Sequence, residues 1–163
     1  MKIQFKLDFK EFLKLQYLLT YRKPRTIIIT SLGVLLLAYS ILCLTGNWND
    51  EAPYMALIVG VYTVLLPLII YLSVKRSFSN NARLQEIMSY EFTDKSIRVT
   101  GESFNAEYSW EKTHKVWELN NWILIYQNSR SASVIPKSSF SDTQLWDFKY
   151  MVKNVPGLKA KLK

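Results

Sequence analysis

A lysine stands among serines in residues 133–140, which read SVIPKSSF. Such a Ser–Lys pair can perform nucleophilic catalysis when the lysine is buried and its pKa is depressed. Lys137, however, follows a proline at the predicted corner between a strand and a helix, where Ser138 and Ser139 are common turn residues. The sequence offers no oxyanion hole and no third, orienting group. We therefore expect Lys137 to lie in water and assign no catalytic role to this corner.

The other side chains capable of chemistry also stand alone. His114 is the one histidine, and no carboxylate cluster stands near it at a spacing that metals use. Cys43 is the one cysteine, which excludes an internal disulfide and a cysteine-based zinc site. The sequence therefore predicts no catalytic, cofactor-binding or metal site and leaves any ligand site unknown. We predict that the protein is not an enzyme.

Two long apolar runs, residues 27–44 and 54–74, hold 18 and 21 residues without a charge. As helices they would extend about 27 Å and 32 Å, close to the roughly 30 Å hydrocarbon core of a bilayer. A secretory signal fits poorly, because acidic residues precede the first run and no cleavage motif of small residues follows it. A lipoprotein signal at Cys43 lacks the small residue before the cysteine, and soluble core helices rarely have such length. We predict a transmembrane helical hairpin over 27–74.

The charges predict the orientation of this hairpin. The connecting segment, 45–53, carries Asp50 and Glu51 and no basic residue, so we expect it outside the cell and both termini in the cytoplasm. The cytoplasmic parts would hold all 21 basic and 11 of the 13 acidic residues, a net charge of +10. Besides the lipid bilayer, this charge suits anionic lipid headgroups as partners. Because no aromatic-interleaved basic patch appears, we expect no nucleic-acid partner.

Residues 1–26 are predicted to be a cytoplasmic strand followed by an amphipathic helix. Residues 2–7 alternate strictly between apolar and polar, and Asp8 with Glu11 resembles a capping box. The helix is basic on one side and ends before Pro24. It could lie in the membrane interface or pack on the cytoplasmic domain, and the sequence leaves both open.

Small residues form a stripe on each predicted span. Ala56, Gly60 and Thr63 share one side of the second span, and the first span has a similar stripe of Thr30, Gly33 and Ser40. Such residues let helix backbones approach closely, so the stripes could join the two spans or form a homo-oligomer. Neither span contains a charge, which argues against an ion or proton pathway.

Residues 75–163 are predicted to form a small cytoplasmic α+β domain. Residues 80–88 can extend or follow the second span as a helix, and short strands are expected at 89–93, 97–101, 103–110, 113–119, 122–127 and 132–136. A final helix begins at Ser141 and carries the stripe Leu145, Phe148, Val152 and Val155. Phe140 should pack into the core beside that cap. Exposed aromatic residues of the domain are candidates for a contact surface, but Trp110, Trp117, Trp122 and Trp146 are more often core residues, and we expect them there. Antiparallel strands closed by one C-terminal helix are the pattern of a pleckstrin-homology-like (PH-like) barrel.

The chain resembles the YcxB-like family of bacterial membrane proteins. The segments that carry the resemblance are YEFTDKSIRVTG (90–101), YSWEKTHKVWEL (108–119), WILIYQ (122–127) and VIPKSSFSDTQLWDF (134–148). The resemblance implies an N-terminal strand and helix, two spans and a C-terminal domain similar to bacterial PH-like domains. It implies no activity and transfers no functional residue.

The most consistent reading is a multi-pass protein of the cell membrane without enzymatic activity. It would present its domain to the cytoplasm as a binding or regulatory module for lipid headgroups or an unidentified protein. The alternative is a structural or assembly subunit of a larger membrane complex. A transporter or enzyme fits less well, because no convergent titratable groups or polar path through the spans are visible.

Overall fold

The computed structural model describes residues 1–46, 53–129 and 131–163. It divides into two compact units: residues 8–81 form the helical unit, and residues 1–7 with 82–163 form the β unit. The helical unit is thus an insertion in the β unit, whereas the sequence predicted boundaries after residues 26 and 74. Most of the predicted external segment, residues 47–52, lies outside the described residues.

The helical unit contains two helices that are long and apolar enough to cross a membrane. Helix α1 spans Phe9–Tyr21, α2 spans Pro24–Leu44 and α3 spans Tyr54–Asn80. The mean hydropathy of the most apolar window is 2.5 in α2 and 2.4 in α3. Both long helices continue beyond the predicted apolar runs. Helix α2 begins three residues earlier, because Pro24 can start a helix without the loss of a helical hydrogen bond, and α3 continues to Asn80.

Small residues join α2 to α3. Gly33 of α2 lies against Thr63 of α3, and a Cβ atom at Gly33 would stand 2.0 Å from the Thr63 hydroxyl oxygen. Gly60 lies against Leu37, whose backbone Cα would be 2.8 Å from a Cβ atom there. Both stripes are therefore used within the hairpin, which was one of the two predicted possibilities.

Helix α1 packs on α3 of the helical unit, whereas the sequence left open the membrane interface or the cytoplasmic domain as its place. Asp8 caps α1 by accepting from the backbone N–H of Lys10 at 2.9 Å. Phe12 is 8% exposed, and its ring lies 5.9 Å from that of Phe78 on α3. Near the other end of α1, the Tyr17 hydroxyl donates to the carbonyl of Pro67 at 2.7 Å. The apolar side of α1 thus faces a helix of the same unit.

The first sheet of the β unit has the order β1-β2-β3-β4, all antiparallel. Its strands are β1 Lys2–Lys6, β2 Ile87–Phe92, β3 Ser96–Thr100 and β4 Asn105–Ser109. The predicted helix over 80–88 is wrong, because only a 3-10 turn forms at Ala82–Leu84 and Ile87 already pairs with Lys6 of β1. The Glu86 carboxylate accepts a hydrogen bond from the Ser103 hydroxyl at 2.6 Å. This bond fixes the residues just before β2 to the connection between β3 and β4.

The second sheet has the order β7-β6-β5-β8. Its strands are β5 Lys115–Glu118, β6 Trp122–Tyr126, β7 Ala132–Pro136 and β8 Lys159–Lys161. Strand β8 pairs with β5 in parallel and was not predicted, since its three exposed residues carry no apolar pattern. The described strands thus form two sheets of four rather than the closed barrel that the sequence suggested.

Helix α4, Asp142–Lys153, carries the aromatic core of the β unit. Ser141 and Gln144 form the predicted capping box. Phe148 is fully buried, with its ring 5.0 Å from Phe92 and 5.5 Å from Phe140. Phe140 therefore packs into the core as predicted.

The environment differs among the four tryptophans considered above, Trp110, Trp117, Trp122 and Trp146. Trp110 and Trp122 are 2% and 6% exposed, as expected for core residues. Trp117 is half-buried, on the outer face of the second sheet. Trp146 is 65% exposed, so its prediction as a core residue is wrong. It follows Leu145 by about 100° around α4 and misses the buried side of the helix.

Candidate functional site

Lys137 lies where strand β7 turns toward α4. Its backbone N–H donates to the carbonyl of Asn121 at 2.9 Å, which fixes the turn to the β5–β6 connection. Its side chain is 21% exposed, and its ammonium group forms an ion pair with the carboxylate of Glu118. The prediction that Lys137 lies in water is therefore wrong, because an inward-facing carboxylate on β5 draws it against the domain.

Glu118 is the centre of this arrangement, and its side chain is fully buried. The Lys149 ammonium of α4 lies 2.8 Å from Glu118 Oε1, and the backbone N–H of Lys163 donates to Oε2 at 2.7 Å. Lys149 also donates to the carbonyl of Lys163 at 2.9 Å. We call Glu118, Lys137, Lys149 and Lys163 the Glu118 clamp. It ties strand β5, the turn after β7, helix α4 and the residues after β8 together.

The Glu118 carboxylate at the centre of the clamp is charged at neutral pH. Burial raises the pKa of the Glu118 carboxyl, but hydrogen bonds from Lys137, Lys149 and the Lys163 N–H outweigh burial and lower the pKa below its ordinary value. A lysine that acts as a general base needs a free lone pair, whereas the Lys137 ammonium is held against a carboxylate. The arrangement is therefore that of a structural ion pair.

The nearby serines are engaged elsewhere. The Ser139 hydroxyl donates to the carbonyl of Pro136 at 2.6 Å, and the Ser133 hydroxyl accepts from the Gln127 side chain at 2.7 Å. Within the described part of the chain, neither hydroxyl hydrogen-bonds to Lys137. Neither of these two serines thus forms a Ser–Lys pair with Lys137.

His114 and Cys43 also lie apart from other reactive groups. His114 is exposed, and its backbone N–H donates to the carbonyl of Tyr126 at 2.8 Å. Cys43 is a free, buried cysteine of α2. Among the residues that the model describes, no three His, Cys, Asp or Glu side chains are grouped so as to hold a metal ion.

A partly buried polar cluster that sequence reasoning missed joins residues of the two sheets. The Tyr108 hydroxyl is 3.3 Å from the Ser133 hydroxyl, and Gln127 donates to both. Burial raises the pKa of Tyr108 and, more strongly, that of Tyr90. Both phenols therefore stay protonated at neutral pH, and the cluster satisfies polar groups inside the domain. The alternation of β2 and β4 was the signal that could have placed both tyrosines inward.

The outer face of the second sheet combines lysines with aromatic rings. We call it the lysine face: Lys115, Trp117, Tyr126, Lys159 and Lys161. Lys115 is the register partner of both Tyr126 and Lys159, and Lys161 is that of Trp117. The Lys115 ammonium lies 4.4 Å from the centroid of the Tyr126 ring and 5.9 Å from that of Trp117. None of these lysines has a carboxylate partner among the described residues. Lys115 and Lys159 are direct register partners, and such a pair of like charges is unfavourable in a sheet.

A groove of about 770 Å³ lies along the second half of α4. We call it the α4 groove. Its other walls are the β2–β3 turn and the 3-10 turn Trp110–Lys112. It is lined by Asp94, Lys95, Ser109, Trp110, Glu111, Asp147, Tyr150, Met151, Asn154, Val155 and Pro156. Neither this groove nor the lysine face was predicted, because each is assembled from segments that are distant in sequence.

These features define a class of protein that joins a pair of long apolar helices to a small two-sheet domain. Residues 92–151 match the model of the YcxB-like protein family, which confirms the predicted resemblance. The chain is 27% identical over 105 residues to the uncharacterized protein YcxB of Bacillus subtilis (strain 168). That similarity covers 63% of this chain and 57% of the relative, so the chain spans little more than half of the relative's length. No solved structure matches the chain.

Proposed function

We propose that this chain is an integral membrane protein, anchored by α2 and α3, whose β unit is a PH-like cytoplasmic binding module without enzymatic activity. The carrying observation is the exposure of most apolar side chains along the two long helices. Only 17% of the apolar window of α2 and 11% of that of α3 are buried within the chain. Ile28, Leu35 and Ile58 are 65%, 66% and 61% exposed. Lipid surrounds such side chains at low cost, whereas water does not.

The pairing of β1 with β2 supports an even number of membrane crossings. Strand β1 precedes both long helices in sequence and β2 follows them, yet Ile3 pairs with Tyr90 in one sheet. The two strands must therefore occupy the same compartment. All 21 basic residues lie outside the segment that connects the long helices, which favours the cytoplasm for that compartment.

The order of strands supports the PH-like assignment. Four antiparallel strands in sequence order form one sheet, three more form the second, and α4 follows with Phe148 in the core between them. Strand β8 is an addition to this plan. A scaffold of this kind offers surfaces rather than a reaction centre, in keeping with the structural role of the Glu118 clamp.

Anionic headgroups are the partner that the lysine face favours. Lys115, Lys159 and Lys161 place three positive charges beside two aromatic rings, and Trp and Tyr favour the membrane–water interface. The alternative role as an assembly subunit loses one support, since Gly33 and Gly60 are already occupied within the hairpin.

Cysteine accessibility in intact cells tests the anchoring. In a Cys43→Ser background, Thr45→Cys should react with a membrane-impermeant maleimide added outside, and Ser129→Cys should react only after permeabilisation. Both positions are exposed, so protein packing does not hide them. Equal labelling of both, or recovery of the chain in the soluble fraction without detergent, would overturn the proposal.

Nanodiscs of defined lipid test the headgroup contact. An environment-sensitive dye on Tyr126→Cys of the lysine face, again with Cys43→Ser, should shift its emission in phosphatidylglycerol nanodiscs and not in phosphatidylcholine nanodiscs. Replacing Lys115, Lys159 and Lys161 with glutamine should abolish the shift. An equal response in both lipids would refute the headgroup contact and leave the anchoring proposal standing.

A further inference from the structure

The α4 groove has an apolar floor that the proposed membrane anchoring does not use. Trp110, Met151, Val155 and Pro156 contribute apolar side chains to its lining. The floor continues onto two exposed aromatic side chains of α4. Trp146 is 65% exposed and Tyr150 is 59% exposed, and their rings stack at 5.5 Å with an angle of 8° between them. Two large, stacked aromatic rings in water are a surface typical of binding hot spots.

Carboxylates surround this floor. Asp94, Glu111 and Asp147 line the groove with a single cation, Lys95, so its lining carries a net charge of −2. The whole chain carries +8, which makes this negative surface the opposite of the molecule's average. None of the three carboxylates forms an ion pair within the described residues. Their charges are therefore available to a partner.

We propose that the α4 groove binds a basic segment of a partner protein. Lysine or arginine side chains of that segment would meet Asp94, Glu111 and Asp147, and an apolar or aromatic side chain would pack on Tyr150 and Trp146. The same carboxylates disfavour an anionic lipid surface, so the groove and the lysine face select different partners. This inference rests on the proposed role as a binding module and adds the chemical class of one partner.

Site-specific photo-crosslinking in cells tests the inference with the full chain. Benzoylphenylalanine replaces Trp146 in one strain and Ser129, which is exposed and does not line the groove, in a control strain. We expect a protein adduct at position 146 that is absent at 129. Mass spectrometry should map the crosslink to a segment with net positive charge and an adjacent apolar side chain.

Charge reversal separates specific docking from chance contact. Asp94→Lys with Asp147→Lys should lower the adduct yield about tenfold, because like charges then face each other. Lys95→Glu should keep or raise the yield. All three side chains are exposed, so the urea midpoints of these variants should match that of the parent chain. Once the partner is mapped, reversing its basic residues should restore the adduct with the doubly reversed groove.

Several results would overturn the inference. These are no adduct above the control, an adduct with lipid or an acidic segment, and an adduct with a second copy of this chain. A yield that survives charge reversal would do the same. Because membrane topology is measured separately by cysteine labelling, failure of the groove proposal is distinguishable from failure of the anchoring proposal.

Discussion

The Glu118 clamp predicts a large and pH-dependent effect of one isosteric substitution, Glu118→Gln. Removing one partner of a buried ion pair costs about 3 to 5 kcal/mol. Lys137 and Lys149 keep 21% and 22% of their side-chain surface exposed, so both ammonium groups can regain water in the variant. The Lys163 N–H can still donate to the glutamine oxygen. We therefore expect a loss of about 2 to 3 kcal/mol in the free energy of unfolding of the β unit.

The sign of the pH dependence follows from the lowered pKa of Glu118. The unfolded carboxyl binds a proton near its ordinary pKa of about 4.3, while the folded carboxyl resists protonation to lower pH. The stabilisation by Glu118 is therefore complete above that ordinary value and is lost as pH falls through the folded pKa. The difference between the parent chain and Glu118→Gln should shrink in the same acidic range.

Urea unfolding of the full chain in detergent micelles measures this difference, with the fluorescence of the buried Trp110 and Trp122 as the main signal. Glu107→Gln is the matched control, because Glu107 pairs with Arg98 at 3.0 Å but both side chains are about half exposed. Its loss should be much smaller than that of Glu118→Gln, since water screens the pair. Equal losses for the two variants, or a Glu118→Gln loss that is the same at pH 7 and pH 3.5, would refute the reasoning.

Three further substitutions probe packing, two in the helical unit and one in the β unit. Gly60→Ala should separate α2 from α3 at a cost of about 1 to 3 kcal/mol, seen as faster proteolysis in micelles, because its Cβ would meet the Leu37 backbone. Tyr17→Phe removes the hydrogen bond to Pro67 and should cost about 0.5 to 1.5 kcal/mol, seen as faster amide exchange in α1. Phe148→Ala should cost about 3 to 5 kcal/mol in urea unfolding, since the side chain is fully buried.

Each of these substitutions has a control in the same element. Val64→Ala should leave proteolysis unchanged, because Val64 is 56% exposed. Tyr21→Phe should leave amide exchange in α1 unchanged, because it is the Tyr17 hydroxyl that donates to the Pro67 carbonyl. Tyr150→Ala should leave the urea midpoint unchanged, because Tyr150 is 59% exposed. A control that behaves like its partner variant would contradict the packing described for that element.

Local patterns were sufficient to predict much of the fold. The strict alternation of residues 2–7 gives β1, and the capping box at Ser141 starts α4. These signals lie within a few neighbouring residues, so they need no knowledge of tertiary structure. The small residues Gly33 and Gly60 likewise marked the helix contact. Which of two partners such a stripe meets is a tertiary property, and the sequence left it open.

Features that depend on distant segments were missed. Lys137 looked exposed because its carboxylate partner, Glu118, lies 19 positions earlier and faces inward only through the register of β5 with β6. Residues 80–88 have helical composition, but pairing of Ile87 with β1 overrides that local preference. Strand β8 is stabilised by a parallel neighbour rather than by its own pattern. Charge and hydrophobicity along the chain therefore predicted elements but not the surfaces that they build.

The position of β1 has a consequence for biosynthesis. The amino group of Met1 donates to the carbonyl of Phe92, 91 positions away, so the first strand waits for its partner until both long helices have left the ribosome. If these helices insert as proposed, a nascent chain with one helix stranded would have β1 and β2 on opposite faces of the bilayer. That chain could not complete its first sheet, and the unpaired edge of β2 would mark it for proteases. Under the proposed insertion, the first sheet can therefore form only in a chain whose two long helices have both crossed the bilayer.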